Sequence, residues 1–377
     1  MAFKNRMNNF YSIVPAGGGG TRLWPLSRKA SPKFLYDLTG SGRSLLQSTI
    51  DRLNNLSAKD NILVVTGQSH LDSVIRQLPE LSQDCFIDEL SPKDSMAAIG
   101  LTVAILYKRH GDVVFGSFAA DHVIDTADNS KFFDCVDKAV KIANHGFIAT
   151  IGIKPNKPSS SFGYIEKGRK LTDGVNVIKQ FVEKPTEEVA KQYLESNRYF
   201  WNAGIFISKA SVLLNALAIQ KPKLYDDIMK IAKVWDSPER LIVQNQIWPN
   251  LEKVAIDYAI AEPVSKKGMM AVVSGDFGWT DVGDWDAIAS LIEKSKNIKT
   301  NTEGKNVVLG NWEFVHNIQS NNNIVFDSQE KLIVLLGVEK LAVINSGDAI
   351  LVTHRDLAQK VKDIVPHLED EDLEKFI

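Results

Sequence analysis

The residues best equipped for chemistry form a glycine run ending in a cation, Gly17-Gly18-Gly19-Gly20-Thr21-Arg22, directly after the apolar run Phe10–Ala16. Glycines permit backbone angles closed to other residues, and the amides of such a loop can approach an anion closely. The Arg22 guanidinium adds a permanent fork of donors matched to phosphate oxygens. Lys33, just after Pro32, can bring a second cation to the same charge. A Walker A loop needs Gly-Lys-Ser/Thr where this chain has Gly-Thr-Arg, and a dinucleotide fingerprint needs a third glycine where Arg22 stands. The strand-like run before the loop and Trp24-Pro25-Leu26 after it argue against an idle surface turn, so phosphate contact is the expectation.

Carboxylates come next. Asp121 follows the apolar run that starts at Val113, which places it at the carboxyl end of a buried strand, where open α/β sheets bind ligands. Asp281 lies in Gly278-Trp279-Thr280-Asp281-Val282-Gly283-Asp284-Trp285, a shaped loop. Two aspartates from separate loops can hold one magnesium ion that also takes phosphate oxygens, although spacing alone does not pair these two. Asp125, Asp284 and Asp286 are expected to be structural or solvated. Further along, Glu183 and Lys184 end the strand-like Phe181-Val182 stretch and read equally as a solvated ion pair. Asn202 interrupts a hydrophobic run from Tyr199 to Phe206, and a buried amide needs partners that sugar hydroxyls could supply. Gly163, in Phe162-Gly163-Tyr164-Ile165-Glu166, offers bare backbone beside a carboxylate and reads equally as part of an ordinary strand.

These residues need a scaffold. Phe10–Ala16, Asn61–Thr66, Asp112–Phe118 and Gly146–Ile153 read as buried strands, alternating with helices over Leu45–Leu53, Ser95–Tyr107 and Lys131–Ala143. That alternation predicts an α/β fold with a mixed, mostly parallel sheet. Ser95 is expected to cap its helix, and the small residues up to Ala98 would let a ligand approach the helix end. Thr186 is expected to cap a helix with Glu187 and Glu188 in its first turn. From Asn297 to Asn306 the composition turns polar, a linker pattern. Short β-like pieces follow, over Asn306–Leu309, Asn323–Phe326, Lys331–Leu336, Leu341–Ile344 and Ala349–Val352. EKLIVLLG at Glu330 and EKLAVINSG at Glu339 hint at stacked strands, a β-helix-like arrangement. An amphipathic helix bearing Leu357, Ala358, Val361, Ile364 and Val365 closes the chain, and His367–Lys375 reads as solvated. The expected division is 1–296 for the α/β domain and 297–377 for a small C-terminal β-rich domain.

Bulk properties narrow the classes. The 377 residues carry a formal net charge of -2, which gives no electrostatic footprint for nucleic acid, so an anionic ligand needs a local positive site. No apolar run is long enough to span a bilayer or to serve as a signal-peptide core. Cys85 and Cys135 show no CxxC spacing, and the seven histidines are scattered singly. A disulfide framework or transition-metal cluster is therefore not expected, and a reducing, cytoplasmic compartment is.

PAGGGGTRLWPLSRKASPKF, SPKDSMAAIG, GSFAADH, FGYIE, FVEKP, WNAGIF and GWTDVGDW, running in order from Pro15 to Trp285, together resemble the sugar-1-phosphate nucleotidyltransferase family. The WPLSR, WNAGIF and TDVGDW forms favour its mannose branch. The resemblance implies transfer of GMP from GTP to mannose 1-phosphate, with release of pyrophosphate. It further implies that Gly17, Gly18, Gly19, Gly20, Thr21 and Arg22 cradle the triphosphate, with Arg22 and Lys33 stabilising charge at the reacting phosphate. Asp121 and Asp281 would hold Mg2+, and Lys184 would meet the sugar phosphate. Gly163, Glu183 and Asn202 would bind the sugar, and the segment Pro92 to Ala98, with Ser95, would lie near the base. Many relatives place Gln where this chain has Phe34. No isomerase domain is expected at the C-terminus, and the β-rich domain is associated with packing or dimer contacts. Related readings are another sugar 1-phosphate or nucleotide, or a non-catalytic sugar-nucleotide-binding subunit. The latter is disfavoured because Arg22, Lys33, Asp121, Lys184 and Asp281 are all present.

Overall fold

The computed structural model describes residue 7 and residues 9–294 and 305–377. The expected boundary at 296/297, and most of the expected linker, lie outside the described residues. The chain forms two compact units. One comprises Met1–Gly17, Thr49–Ala120 and Ile124–Trp279; the other comprises Gly18–Ser48, Asp121–Val123 and Thr280–Ile377.

Strands are numbered in chain order: β1 (Phe10–Ala16), β2 (Ile62–Gly67), β3 (Phe86–Glu89), β4 (Val114–Ser117), β5 (Val123–Ile124), β6 (Ile148–Ile153), β7 (Tyr164–Thr172), β8 (Val175–Val182), β9 (Tyr199–Lys209), β10 (Met270–Gly275) and β11 (Trp279–Thr280). In the first unit nine of them make one sheet in the order β3-β2-β1-β4-β9-β6-β10-β8-β7. β3, β2, β1 and β4 are mutually parallel, and β6 is parallel to β10. Only β8 and β9 run the other way, so the sheet is mixed and mostly parallel in direction. Ile13 and Val14 point to opposite faces and both are fully buried, because helices cover both sides. Helix Asp94–His110 is apolar nearly all round, with Met96 through Leu106 buried, and it packs against helices Ala210–Gln220 and Pro222–Lys233. Helix Asn129–Asn144 lies across β6, β9 and β10.

Strand order reverses at β1, with β2 on one side and β4 on the other. Chain continuity thus starts the glycine loop at the carboxyl end of β1 and leads to Asp121 from the carboxyl end of β4. Two amides past β4 extend the ladder onto β1: Phe118 donates to Ile13 at 2.8 Å and Ala120 to Pro15 at 3.2 Å.

The second unit has its own core, in which Leu23, Trp24, Leu26, Leu38 and Leu45 share one cluster with Val282, Trp285, Ile288, Val307, Ile324 and Ala342. Gly18–Ser48 is grouped with the C-terminal residues for this reason, which a contiguous division of the chain cannot express. Its strands are β12 (Val307–Leu309), β13 (Val315–Ile318), β14 (Ile324–Asp327), β15 (Ile333–Leu336), β16 (Leu341–Asn345) and β17 (Ile350–His354). β12, β14 and β16 stack in parallel on one side, β13 and β15 on another, and β17 closes antiparallel on β16. This is a parallel β-helix. An asparagine ladder runs through its corner: Asn323 Nδ2 donates to Asn306 Oδ1 at 2.9 Å, and Leu341 N donates to Asn323 Oδ1 at 2.8 Å. EKLIVLLG and EKLAVINSG supply β15 and β16, strands on two different sides, so the near-repeat marks successive sides and not successive coils.

The expected closing helix is a 3-10 helix, Arg355–Asp363, followed by α-helix Ile364–Asp370. Of its five apolar positions only Ala358 and Val361 are fully buried. His367–Lys375 is exposed apart from the half-buried Leu368, as expected, while beyond it Ile377 is buried and the Phe376 carbonyl accepts the Trp24 indole N–H at 2.8 Å.

Candidate active site

In the second unit, the glycine loop leads into a 3-10 turn, Thr21–Leu23. Gly18 and Gly20 have φ of 92° and 54°, in the left-handed region. At Gly20 a Cβ would also sit 2.5 Å from Ser27 Oγ, which donates to the Gly19 carbonyl at 2.9 Å. Gly17 differs: its φ is ordinary, and a Cβ added there would meet no atom within 4 Å. Gly17 is exposed, and nothing among the described residues requires a glycine there. Arg22 is half-buried and makes no hydrogen bond or ion pair with the described residues.

Lys33 is committed differently. Its Nζ pairs with Asp121 Oδ2 at 2.8 Å and donates to the carbonyls of Asp281 at 2.9 Å and Val282 at 3.2 Å. Three donors meet three acceptors, and this brings together the segments carrying both predicted metal aspartates. Burial works against ionisation of Asp121, but the Lys33 ammonium, then the His122 ring, outweigh it and hold the carboxyl below its ordinary range. Val282 is fully buried at φ 46°, a strained conformation for a β-branched residue and one that fixes the carbonyl Lys33 uses. The Asp281 carboxylate has no hydrogen-bond or ion-pair partner among the described residues. Two hard oxygen donors on separate segments suit a magnesium ion completed by phosphate oxygens; among the described residues no group of three His, Cys, Asp or Glu could hold a metal alone. The competing aspartates are occupied. Asp284 accepts from Ala287 N at 2.8 Å, Asp286 pairs with Arg355 at 2.8 Å, and Asp125 accepts from Ala127 N at 3.0 Å.

The first unit holds the other set. A Cβ on Gly163 would fall 2.5 Å from Glu183 Oε2, so the carboxylate lies where only glycine leaves room. Lys184 has φ 44° and pairs with Glu183 at 3.1 Å. Burial would lower its pKa, but Glu183 and then Asp257 raise it, so the ammonium persists. Asn202 does find partners, but in the chain itself: its Oδ1 accepts from Thr150 Oγ1 at 2.8 Å and Gly204 N at 3.2 Å, and its Nδ2 donates to Asp257 Oδ1 at 3.0 Å. One amide N–H is left over. Ser95 is not the cap of its helix, which begins at Asp94; its Oγ instead accepts from Ile256 N at 2.9 Å. Lys93, Ser95 and Met96 are thus tied to the segment 249–256, and Ala98 is buried within the first turns. Thr186 does cap its helix, accepting from Val189 N at 3.5 Å.

A family model described as Nucleotidyl transferase matches residues 11–298. The chain belongs to the nucleotidyl transferase family. A second model, MannoseP isomerase/GMP-like beta-helix domain, matches residues 314–368 of this nucleotidyl transferase. It is 33% identical over 370 residues to a putative mannose-1-phosphate guanylyltransferase of Vibrio cholerae, covering 97% of this chain and 76% of that protein. A mannose-1-phosphate guanylyltransferase of Escherichia coli is 34% identical over 365 residues, covering 95% and 73%. Among solved structures, the mannose-1-phosphate geranyltransferase of Thermus thermophilus superposes with a TM-score of 0.80 at 28% identity, covering 96% of this chain and 100% of that one.

Sequence reasoning about this nucleotidyl transferase passes over Asp257 and Glu262. Asp257 accepts from Asn202, and Glu262 Oε1 accepts from Glu183 N at 3.1 Å. A charged residue inside the apolar run Val254-Ala255-Ile256-Asp257-Tyr258-Ala259-Ile260 is the signal that could have found the first of them.

Proposed function

We propose that this nucleotidyl transferase moves GMP from GTP to α-D-mannose 1-phosphate, giving GDP-mannose and pyrophosphate. The observation that carries the reading is the bare glycine loop ending in an uncommitted Arg22, on a chain that aligns over nearly its whole length with mannose-1-phosphate guanylyltransferases. An oxygen of the sugar phosphate forms a bond to the α-phosphorus of GTP, while the bond from that phosphorus to the bridging oxygen breaks and its electron pair leaves with pyrophosphate. The nucleophile is already anionic, so the reaction needs no general base and no covalent enzyme intermediate. Positioning and charge neutralisation carry it. Loop amides and Arg22 hold the triphosphate, Lys184 meets the sugar phosphate, and Gly163, Glu183 and Asn202 meet the sugar. Asp121 and Asp281 would hold Mg2+, whose chemistry is to neutralise phosphate charge.

A cytoplasmic location belongs to the same reading, supported by two buried, unbridged cysteines. So does a homodimer, supported by the exposed Ile318, Val334 and Leu336 on the outer side of β13 and β15. Among the described residues no helix is long and apolar enough to cross a membrane.

The test is pyrophosphate release from mannose 1-phosphate with GTP, ATP, UTP or dTTP in magnesium buffer. Release with GTP, abolished by chelator and by D281N, is the expected result. Release only with another sugar phosphate or nucleotide would replace the substrate, and no release with any pair would sink the reading.

A further inference from the structure

Asp257 is the first residue of a single π turn, Asp257–Ala261. Such turns interrupt regular helix and recur at functional sites. The contacts around it are directional. Gly204 N can only donate, so the oxygen of the Asn202 amide must face it, and the NH2 group must face Asp257 Oδ1 at 3.0 Å. Asp257 therefore fixes where the remaining Asn202 N–H points.

Its charge matters as well. Glu183 and Lys184 approach Asp257 from the end of β8, and Glu262 from the helix after the π turn. Tyr258, its neighbour in the chain, lies within electrostatic reach of Lys184. Among the described residues, Glu183 and Asp257 both act on the Lys184 ammonium, and Glu183 and Glu262 both act on Asp257, so three carboxylates gather about this one named cation. If all three ionise, two negative charges are left without a cation in the cluster expected to receive a phosphate dianion.

We propose that Asp257 is a positioning residue for the sugar phosphate, which aims the Asn202 amide and, by keeping or releasing a proton, sets the charge beside Lys184 and Glu183. The inference rests on the function proposed above. Burial and the Glu183 carboxylate push Asp257 up to about 7, so the proton is held in mildly acid solution and lost above it. Once lost, the new charge competes with the sugar phosphate for Lys184.

The experiment compares wild type, D257N and D257A across about pH 6 to about pH 8.5, measuring KM for each substrate separately. In wild type the KM for mannose 1-phosphate rises severalfold, on the order of tenfold at most, while the KM for GTP stays level. D257N keeps an acceptor for Asn202 without the charge, so its sugar-phosphate KM stays near the low-pH value throughout. D257A loses the acceptor and raises that KM at every pH. The substrate's own phosphate titration is common to all three proteins, so it cannot produce a difference between them. A D257N profile that tracks wild type overturns the inference, as does an equal change in KM for both substrates. A wild-type protein inactive with every substrate pair overturns the parent reading with it, whereas an active one with indistinguishable profiles overturns this inference alone. A second readout uses unmodified protein: calorimetry of mannose 1-phosphate binding near about pH 7.5, in buffers of different ionisation enthalpy, should register fractional proton uptake. No uptake counts against the inference even if the variants fail to fold.

Discussion

Arg22 and Lys33 are both cations expected from the sequence to serve phosphate, yet the structure gives them opposite dependences. Lys33 Nζ spends its donors on Asp121 and on the carbonyls of Asp281 and Val282. Removing it leaves a carboxylate of low exposure unpaired and two carbonyls short of a donor, a loss of about 1 to 3 kcal/mol for each buried polar group left unsatisfied. Arg22 makes no hydrogen bond or ion pair with the described residues. R22A should therefore melt within experimental error of wild type while losing about 10²- to 10³-fold in turnover, the usual loss when one donor to developing charge is removed. K33A should lower both turnover and melting temperature. Thermal melts beside pyrophosphate-release rates would check this, and an R22A protein that melts several degrees early would show that Arg22 is structural after all.

At the level of elements, the glycine loop divides into two kinds of position. Gly20 is required by the chain itself, through its left-handed φ and the closeness of Ser27 Oγ, whereas Gly17 is surrounded by open space. G20A should cost about 1 to 2 kcal/mol from the backbone alone, and more if Ser27 gives up its bond to Gly19. G17A should leave stability alone and weaken GTP, read as a raised KM at an unchanged melting temperature. Equal melting losses in both variants would contradict this division. The elements themselves are largely legible in the sequence. β1 and helix Leu45–Leu53 begin and end where the apolar pattern places them, because buried runs bounded by turn residues leave little choice of boundary. The cap expected at Ser95 is absent because a hydroxyl before an apolar run satisfies the capping pattern equally well when it bonds a distant amide, here Ile256 N. Gly163, Glu183 and Asn202 stand out from local motifs, whereas the carboxylate that orients Asn202 shows locally only as a charge inside an apolar run, and its pairing with Asn202 is a product of topology. The β-helix can be suspected from sequence but not registered. Its coils are held by long-range pairs such as Asn306 with Asn323, and short-range similarity between Glu330 and Glu339 marks a different spacing.

For the whole molecule, two carboxyls of the first unit give stability an unusual pH dependence. Glu89, at the carboxyl end of β3, is buried with Oε1 lacking a hydrogen-bond partner among the described residues, and burial pushes it up to about 7. Asp257 is also pushed up to about 7, by burial and by Glu183. In the unfolded chain both titrate near the ordinary values of 4.5 and 3.8. Between those values and about 7 the folded protein keeps protons that the unfolded chain has released, so unfolding releases protons and stability falls as pH rises. The decline starts near about pH 4, is complete a little above about pH 7, and amounts to on the order of 3 to 4 kcal/mol for a group shifted this far. Acids held low by cationic partners, such as Asp121 beside Lys33, act in the opposite sense but only as pH falls below about 4, outside this window. Wild type should therefore melt at a lower temperature at about pH 8 than at about pH 5.5, and E89Q should remove part of that difference by abolishing the proton that Glu89 takes up. The amide in E89Q is neutral at every pH, so its gain over wild type should appear at about pH 8 and vanish towards about pH 5. A gain of the same size at both ends would mean that the amide stabilises by better packing or hydrogen bonding, and that the Glu89 carboxyl is not what makes the fold sensitive to pH.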